Sequence, residues 1–114
     1  MPLLKIETNV TIAKDRQAPL MKRCSEAVAR LLGKPESYVM ISLESGRAML
    51  FAGDDRPLAL LQLKSLGLPD SRTGEFSARL CHLMDDELGI PADRVYIEFS
   101  SPARQLWGWN NGTF

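Results

Sequence analysis

Apolar residues recur at spacings of three and four in two stretches of the chain. The first holds Leu20, Cys24, Ala27, Val28, Leu31 and Leu32; the second holds Phe76, Leu80, Leu83, Met84 and Leu88. That spacing predicts two helices, each with one buried face. The same punctuation follows both. Leu32-Gly33-Lys34-Pro35 leads to Val39 and Ile41 just as Leu88-Gly89-Ile90-Pro91 leads to Val95 and Ile97, so both copies read L-G-x-P-x-x-x-V-x-I. Gly33 and Gly89 can take the left-handed conformation that closes a helix, and the prolines two residues later stop it resuming. Residues 38–43 and 94–99, rich in apolar, β-branched and aromatic side chains, read as strands after the helices. Residues 3–7 and 58–63 supply an apolar strand before each.

The chain is therefore read as two β-α-β units. Two such units with right-handed crossovers place both helices on one face of a shared sheet, an α+β sandwich with pseudo-twofold symmetry. Ser45-Gly46 reads as a turn into an extra strand near residues 47–51, and residues 54–57 as the link between halves. Residues 68–74 connect the second unit's first strand to its helix. No linker divides the chain, so residues 1–114 are expected to form one domain. Exposed sheet edges and an aromatic tail with Trp107, Trp109 and Phe114 predict self-association.

Composition narrows the function. Fourteen basic residues balance fourteen acidic ones, so there is no net field to hold nucleic acid or an anionic membrane. The first residues lack a signal peptide's apolar region, and no run approaches the roughly 20 apolar residues of a membrane span. A cytoplasmic protein is expected. Cys24 and Cys81 lie in helical surroundings with no metal-ligand spacing and read as buried structural thiols. His82 reads as a helix-surface residue, and Asp85-Asp86-Glu87 as a solvated face, because adjacent helix positions diverge. With no G-x-G-x-x-G, Walker or Cys/His zinc pattern, neither cofactor nor metal is expected.

The repeat also shows where the halves differ. Aligned by the shared motif, Pro2 falls opposite Leu58, Lys34 opposite Ile90 and Met40 opposite Tyr96. Taken singly, Lys34 reads as a solvated charge favoured by a helix C-terminus, and Tyr96 as core. Pro2 stands apart. Methionine is commonly removed before a small residue, and removal would leave a secondary amine heading the first strand. Ordinary α-amino groups titrate at about 7.7–8; apolar surroundings or a nearby lysine favour the neutral form. That gives a base usable near neutrality.

These residues lie within a pattern that resembles the macrophage migration inhibitory factor and D-dopachrome tautomerase family, in the amino-terminal-proline tautomerase superfamily. The resemblance spans nearly the whole chain. It rests on Met1-Pro2, Thr8-Asn9-Val10, Gly33-Lys34-Pro35, Phe51-Ala52-Gly53, Ser65-Leu66-Gly67, Asp93-Arg94-Val95-Tyr96-Ile97 and Gly108-Trp109-Asn110-Asn111 with Thr113-Phe114. It implies the tautomerase fold assembled as a homotrimer, with three active sites between subunits. It further implies keto–enol tautomerisation of phenylpyruvate-like aryl keto acids, and of D-dopachrome-type substrates, with Pro2 as general base and Lys34 holding the carboxylate. By the same resemblance Ser65 and Leu66 line the pocket, Tyr38, Trp109 and Phe114 form an aromatic mouth, and Tyr96 comes from the adjacent subunit. Non-classical secretion follows by family analogy alone.

Three departures bear on these implications. Glu98 stands where familiar members carry a substrate-binding asparagine, which puts substrate preference in question; pairing of Glu98 with Arg94 or Arg104 is the structural alternative. The vertebrate cytokine's Cys-Ala-Leu-Cys corresponds to Leu58-Ala59-Leu60-Leu61, so thiol–disulfide exchange is not expected. Ile12 and Gly46 replace charged positions the cytokine presents to receptors, which argues against receptor binding. A non-enzymatic, cytokine-like interaction protein remains the competing reading.

Overall fold

The computed structural model describes residues 1–114. Strand β1 (Leu3–Thr8), helix α1 (Lys14–Leu32) and strand β2 (Met40–Glu44) form the first unit. Strand β3 (Ala59–Lys64), helix α2 (Thr73–Leu88) and strand β4 (Val95–Ser100) form the second. The four strands make one mixed sheet in the order β2-β1-β3-β4. Within each unit the strands are parallel, and the units join through the antiparallel β1–β3 pair.

Alternation along the strands decides where the core lies. Leu4, Ile6 and Thr8 of β1 and Ala59, Leu61 and Leu63 of β3 are buried. Helix α1 buries Leu20, Cys24 and Val28, and α2 buries Phe76, Leu80 and Met84, each set spaced by four so that it shares one face. These side chains form one cluster, which places both helices on the same side of the sheet. The expected caps are present. Gly33 (φ 63°) and Gly89 (φ 66°) are left-handed, and the Lys34 N–H returns to the Ala29 carbonyl at 3.0 Å.

Several boundaries differ from the sequence reading. Helix α1 begins at Lys14, ahead of Leu20 where the apolar spacing becomes evident, although Ala13 gives no side-chain cap and Pro19 cannot donate to the carbonyl four residues back. Asp15 in the first turn suits the helix dipole, and the Gln17 amide donates to the Ile12 carbonyl at 3.1 Å. After each helix, Pro35 and Pro91 lead into 3-10 turns, Glu36–Tyr38 and Ala92–Arg94, closed by Tyr38 N–H to Pro35 (3.1 Å) and Arg94 N–H to Pro91 (2.9 Å). Tyr38 and Arg94 therefore belong to turns rather than strands.

The extra strand expected near 47–51 is absent. Phe51 and Asp54 instead pair with each other across a tight turn. The turn that follows is held by Arg94, which is nearly fully buried. Its guanidinium donates to the carbonyls of Phe51, Asp54, Arg56 and Pro57 and pairs with the Asp54 carboxylate at 2.9 Å. Of these carbonyls only that of Phe51 belongs to the segment expected to form the strand; residues 47–50 pair with no strand of this chain.

The pairing register also corrects the internal alignment. Leu4 lies beside Ile41, and Ile97, the repeat equivalent of Ile41, lies beside Leu61. Leu4 is thus equivalent to Leu61 and Pro2 to Ala59, one position on from the Leu58 that sequence alignment suggests. A one-residue change in spacing between first strand and helix is invisible to a motif anchored after the helix. The asymmetry survives: only the first half starts its strand with proline.

Candidate active site at the amino terminus

Five parts of the chain converge beside the start of β1. They are the residues following α1, the 3-10 turn that ends at Tyr38, the segment after β3, a further 3-10 turn Arg104–Leu106, and a terminal hairpin of β5 (Gly108–Trp109) and β6 (Gly112–Thr113). Between them lies a pocket of about 160 Å³. Lys34, Tyr38, Leu66 and Phe114, all expected from the sequence, line it together with Met1, Pro35 and Arg104. Pro2 itself is completely covered, its carbonyl accepting the Met40 N–H at 3.0 Å, and Met1 occupies the pocket side.

The aromatic mouth is built as a short stack. Trp109 lies parallel to Phe114 with ring centres 5.6 Å apart and meets Tyr38 edge-on at 5.7 Å. The turn at Asn110 and Asn111, both at positive φ, folds the hairpin back so that Phe114 reaches the pocket. Ser65, expected in the lining, is not part of it: it is fully buried, its hydroxyl turned towards the Leu66 carbonyl and its N–H bonded to the Ser100 carbonyl at 3.1 Å.

Electrostatically the pocket is one-sided. No carboxylate side chain lines it, and neither Lys34 nor Arg104 takes part in any of the chain's ion pairs. The terminal amine, on Met1, is held below its ordinary value of 8.0, by burial first and then by the positive charges of Lys34 and Arg104. An amine so placed is neutral over more of the physiological range and can take a proton.

Two residues of the expected site lie elsewhere in this chain. Tyr96 and Glu98 project from the sheet face opposite the helices: Tyr96 is 67% exposed and meets Phe51 edge-on at 4.8 Å, and Glu98 accepts from the Gln62 amide at 3.0 Å. Glu98 therefore pairs with neither Arg94 nor Arg104. Arg94 holds the 51–57 loop, and the Arg104 Nε donates to the Phe114 main-chain oxygen at 2.9 Å. Arg104 is the pocket residue that the sequence reading did not assign. Its only signal was a cation in a segment lying outside both copies of the repeat.

The remaining sequence candidates settle into structural places. Asp85-Asp86-Glu87 does not converge, since Asp86 pairs with His82 (3.1 Å) and Glu87 with Arg23 (2.6 Å). Cys24 is buried as expected, whereas Cys81 is only half-buried. A larger groove of about 310 Å³ runs between the helices, but Arg72–Glu75 and His82–Asp86 pairs occupy much of its charge.

The mixed sheet with two helices on one face, and a pocket lined by Lys34 and Arg104 at the head of β1, define an α+β protein with a cationic pocket. The profile of the family described as macrophage migration inhibitory factor (MIF) matches residues 1–114, and the chain belongs to that family. It is 39% identical to a macrophage migration inhibitory factor homolog of Brugia malayi, covering 100% of this chain and 99% of that one. With the mouse factor it shares 32% over 100% of this chain and 99% of the other. Among solved structures, a homologue from Prochlorococcus marinus superposes with a TM-score of 0.92 at 44% identity, over 98% of both chains. The factor from Trichinella spiralis gives 0.92 at 33%, over 98% of this chain and 99% of the other.

No helix is long and apolar enough to cross a membrane.

Proposed function

We propose that this protein is a cofactor-free keto–enol tautomerase of aryl keto acids such as phenylpyruvate, and of D-dopachrome-type substrates, working as a homotrimer. The observation that carries the reading is the covered proline at the head of β1. Beside it lie the Met1 amine of lowered proton affinity, an unpaired Lys34 and an aromatic mouth, in a pocket to which this chain contributes no acidic side chain. Removal of Met1 transfers the amine to Pro2 and opens the space that Met1 fills.

The chemistry follows from these positions. The neutral Pro2 nitrogen takes a proton from the carbon beside the ketone, and Lys34 holds the substrate's carboxylate. The electron pair moves onto the ketone oxygen as an enolate, and reprotonation there gives the enol; the reverse sequence returns the ketone. Stabilisation by fixed charge is strongest where water is excluded, which suits the apolar walls of Leu66 and Phe114. In the proposed trimer, Tyr96 and Glu98 enter the pocket of a neighbouring subunit, consistent with their exposure on the outer sheet face.

The test has two parts. Intact-mass measurement is expected to show Met1 removed. Pro2→Gly is expected to lower phenylpyruvate tautomerisation about 10²-fold or more, as loss of a general base does, while assembly persists. Wild-type rates equal to buffer alone would exclude the enzyme and favour the interaction-protein reading.

A further inference from the structure

Arg104 enters the pocket from the tail, and its bonding differs from that of the arginines held by acids. Arg94 spends its guanidinium on four carbonyls and a carboxylate, and Arg23, Arg47, Arg56 and Arg72 each pair with an acid. Arg104 uses only Nε, on the Phe114 main-chain oxygen, which fixes the guanidinium plane and leaves both terminal nitrogens without a protein acceptor. Its main chain is fixed as well: Leu106 N–H bonds Ala103 at 2.9 Å, and Trp107 N–H bonds Arg104 at 3.2 Å. The fork is thus aimed by the tail yet unsatisfied.

Lys34 reaches the same pocket from the end of α1, also unpaired, and no acid lies between them. One carboxylate satisfies one of these cations. A planar guanidinium fork matches a carboxylate through two parallel hydrogen bonds, whereas an ammonium acts as a point charge. We propose that Arg104 is a second anion-binding residue of this site, so that the pocket takes 2-oxo acids bearing a second carboxylate as well as aryl keto acids. The proposal rests on the tautomerase reading for what happens to the substrate, but not for what the pocket binds.

Because Arg104 is exposed at the pocket mouth, it acts on capture more than on the chemical step. The test compares oxaloacetate with phenylpyruvate in the wild type, Arg104→Gln and Arg104→Lys. Glutamine can still donate to Phe114, and unchanged Trp107 and Trp109 fluorescence would verify that the tail is in place. At a pH above the acid limb of both enzymes, Arg104→Gln is expected to raise KM for oxaloacetate about tenfold, equivalent to about 1.4 kcal/mol, with kcat little changed and the KM for phenylpyruvate raised several-fold less. Arg104→Lys is expected to recover part of the loss. Equal effects on both substrates, or none on either, would overturn the proposal.

A second measurement needs no turnover. Malonate binding by calorimetry is expected to be about tenfold weaker in Arg104→Gln than in the wild type, with acetate binding nearly unchanged; equal malonate affinities would also overturn the proposal. Malonate discrimination accompanied by buffer-level rates on both keto acids would instead support the anion site and reject the tautomerase.

Discussion

At the Met1 amine three effects act in one direction, since burial, Lys34 and Arg104 all disfavour the protonated form, and in the proposed enzyme the Pro2 nitrogen exposed by loss of Met1 has the same cationic neighbours. A catalytic base works as the neutral amine, so kcat/KM should rise with pH through its transition and level off above it. The titratable or charged side chains lining the pocket are Lys34, Tyr38 and Arg104. Removing positive charge raises proton affinity, so Lys34→Gln and Arg104→Gln should each move the acid limb of the phenylpyruvate profile to higher pH. An unmoved limb in both variants would show that another group controls the rate. The thiols give a second residue-scale contrast. Burial, with Glu87 adding to it, pushes the Cys24 thiol up to about 11, while Cys81 is half-buried. Ellman's reagent should therefore label Cys81 in the folded protein and Cys24 only in denaturant; equal labelling rates would contradict this picture. Much of the site was legible in the sequence, because Pro2 and Lys34 break a symmetry that packing alone would keep. Arg104 was not, since a residue outside both repeat copies has no counterpart with which to disagree. Alternation in β4 puts Tyr96 and Glu98 on the face opposite Val95, Ile97 and Phe99, but one chain's sequence does not show which pocket, if any, they reach.

Among the elements, the loop between the halves depends on one side chain. Arg94 gathers four carbonyls and Asp54 from residues 51–57, and Asp54 is in turn bound by Arg56. Arg94→Met should destabilise the fold by about 3 kcal/mol, as losing one partner of a buried ionic cluster does, measured by urea unfolding. A loss below about 0.5 kcal/mol, the scale of an ordinary surface substitution, would mean the loop does not need the clamp. Arg56 first, with Arg94 also contributing, lowers Asp54 from 3.8 to about 2. The unfolded chain therefore binds this proton more readily than the folded one. The associated stability is present above the unfolded value and is lost as pH falls from about 4 towards 2. Asp54→Asn should flatten that part of the acid-unfolding curve, and an unchanged slope would assign it to other carboxylates. The elements that the sequence specifies are those with local signals: helix periodicity, left-handed glycine caps and prolines after them. The 3-10 turns were missed because Tyr38 and Arg94 have strand-like neighbours, and the loop around Phe51 because its partner, Arg94, lies some forty positions away.

For the whole molecule, the outer sheet face poses the remaining demand. Leu3 lies beside Met40, and Leu60 beside Tyr96, at opposite ends of the sheet because β1 and β3 run antiparallel. Lys5, Gln62 and Glu98 fill the middle with polar groups. Met40 and Tyr96 are 65% and 67% exposed at the two edge strands, and Leu50 is 70% exposed nearby in sequence to β2. Edges carrying large apolar side chains are covered in a stable assembly or invite aggregation. The proposed trimer covers them and delivers Tyr96 and Glu98 to a neighbour's pocket, so assembly and activity should fail together. Met40→Glu tests this, because a carboxylate moved from water into an unpartnered interface costs several kcal/mol, whereas on an exposed strand it is tolerated. Sedimentation equilibrium should find trimers for the wild type and monomers for the variant, with far-UV circular dichroism unchanged and phenylpyruvate turnover reduced at least about tenfold. A monomeric wild type at micromolar concentration, or a monomeric variant with full turnover, would show that each chain carries a complete site of its own.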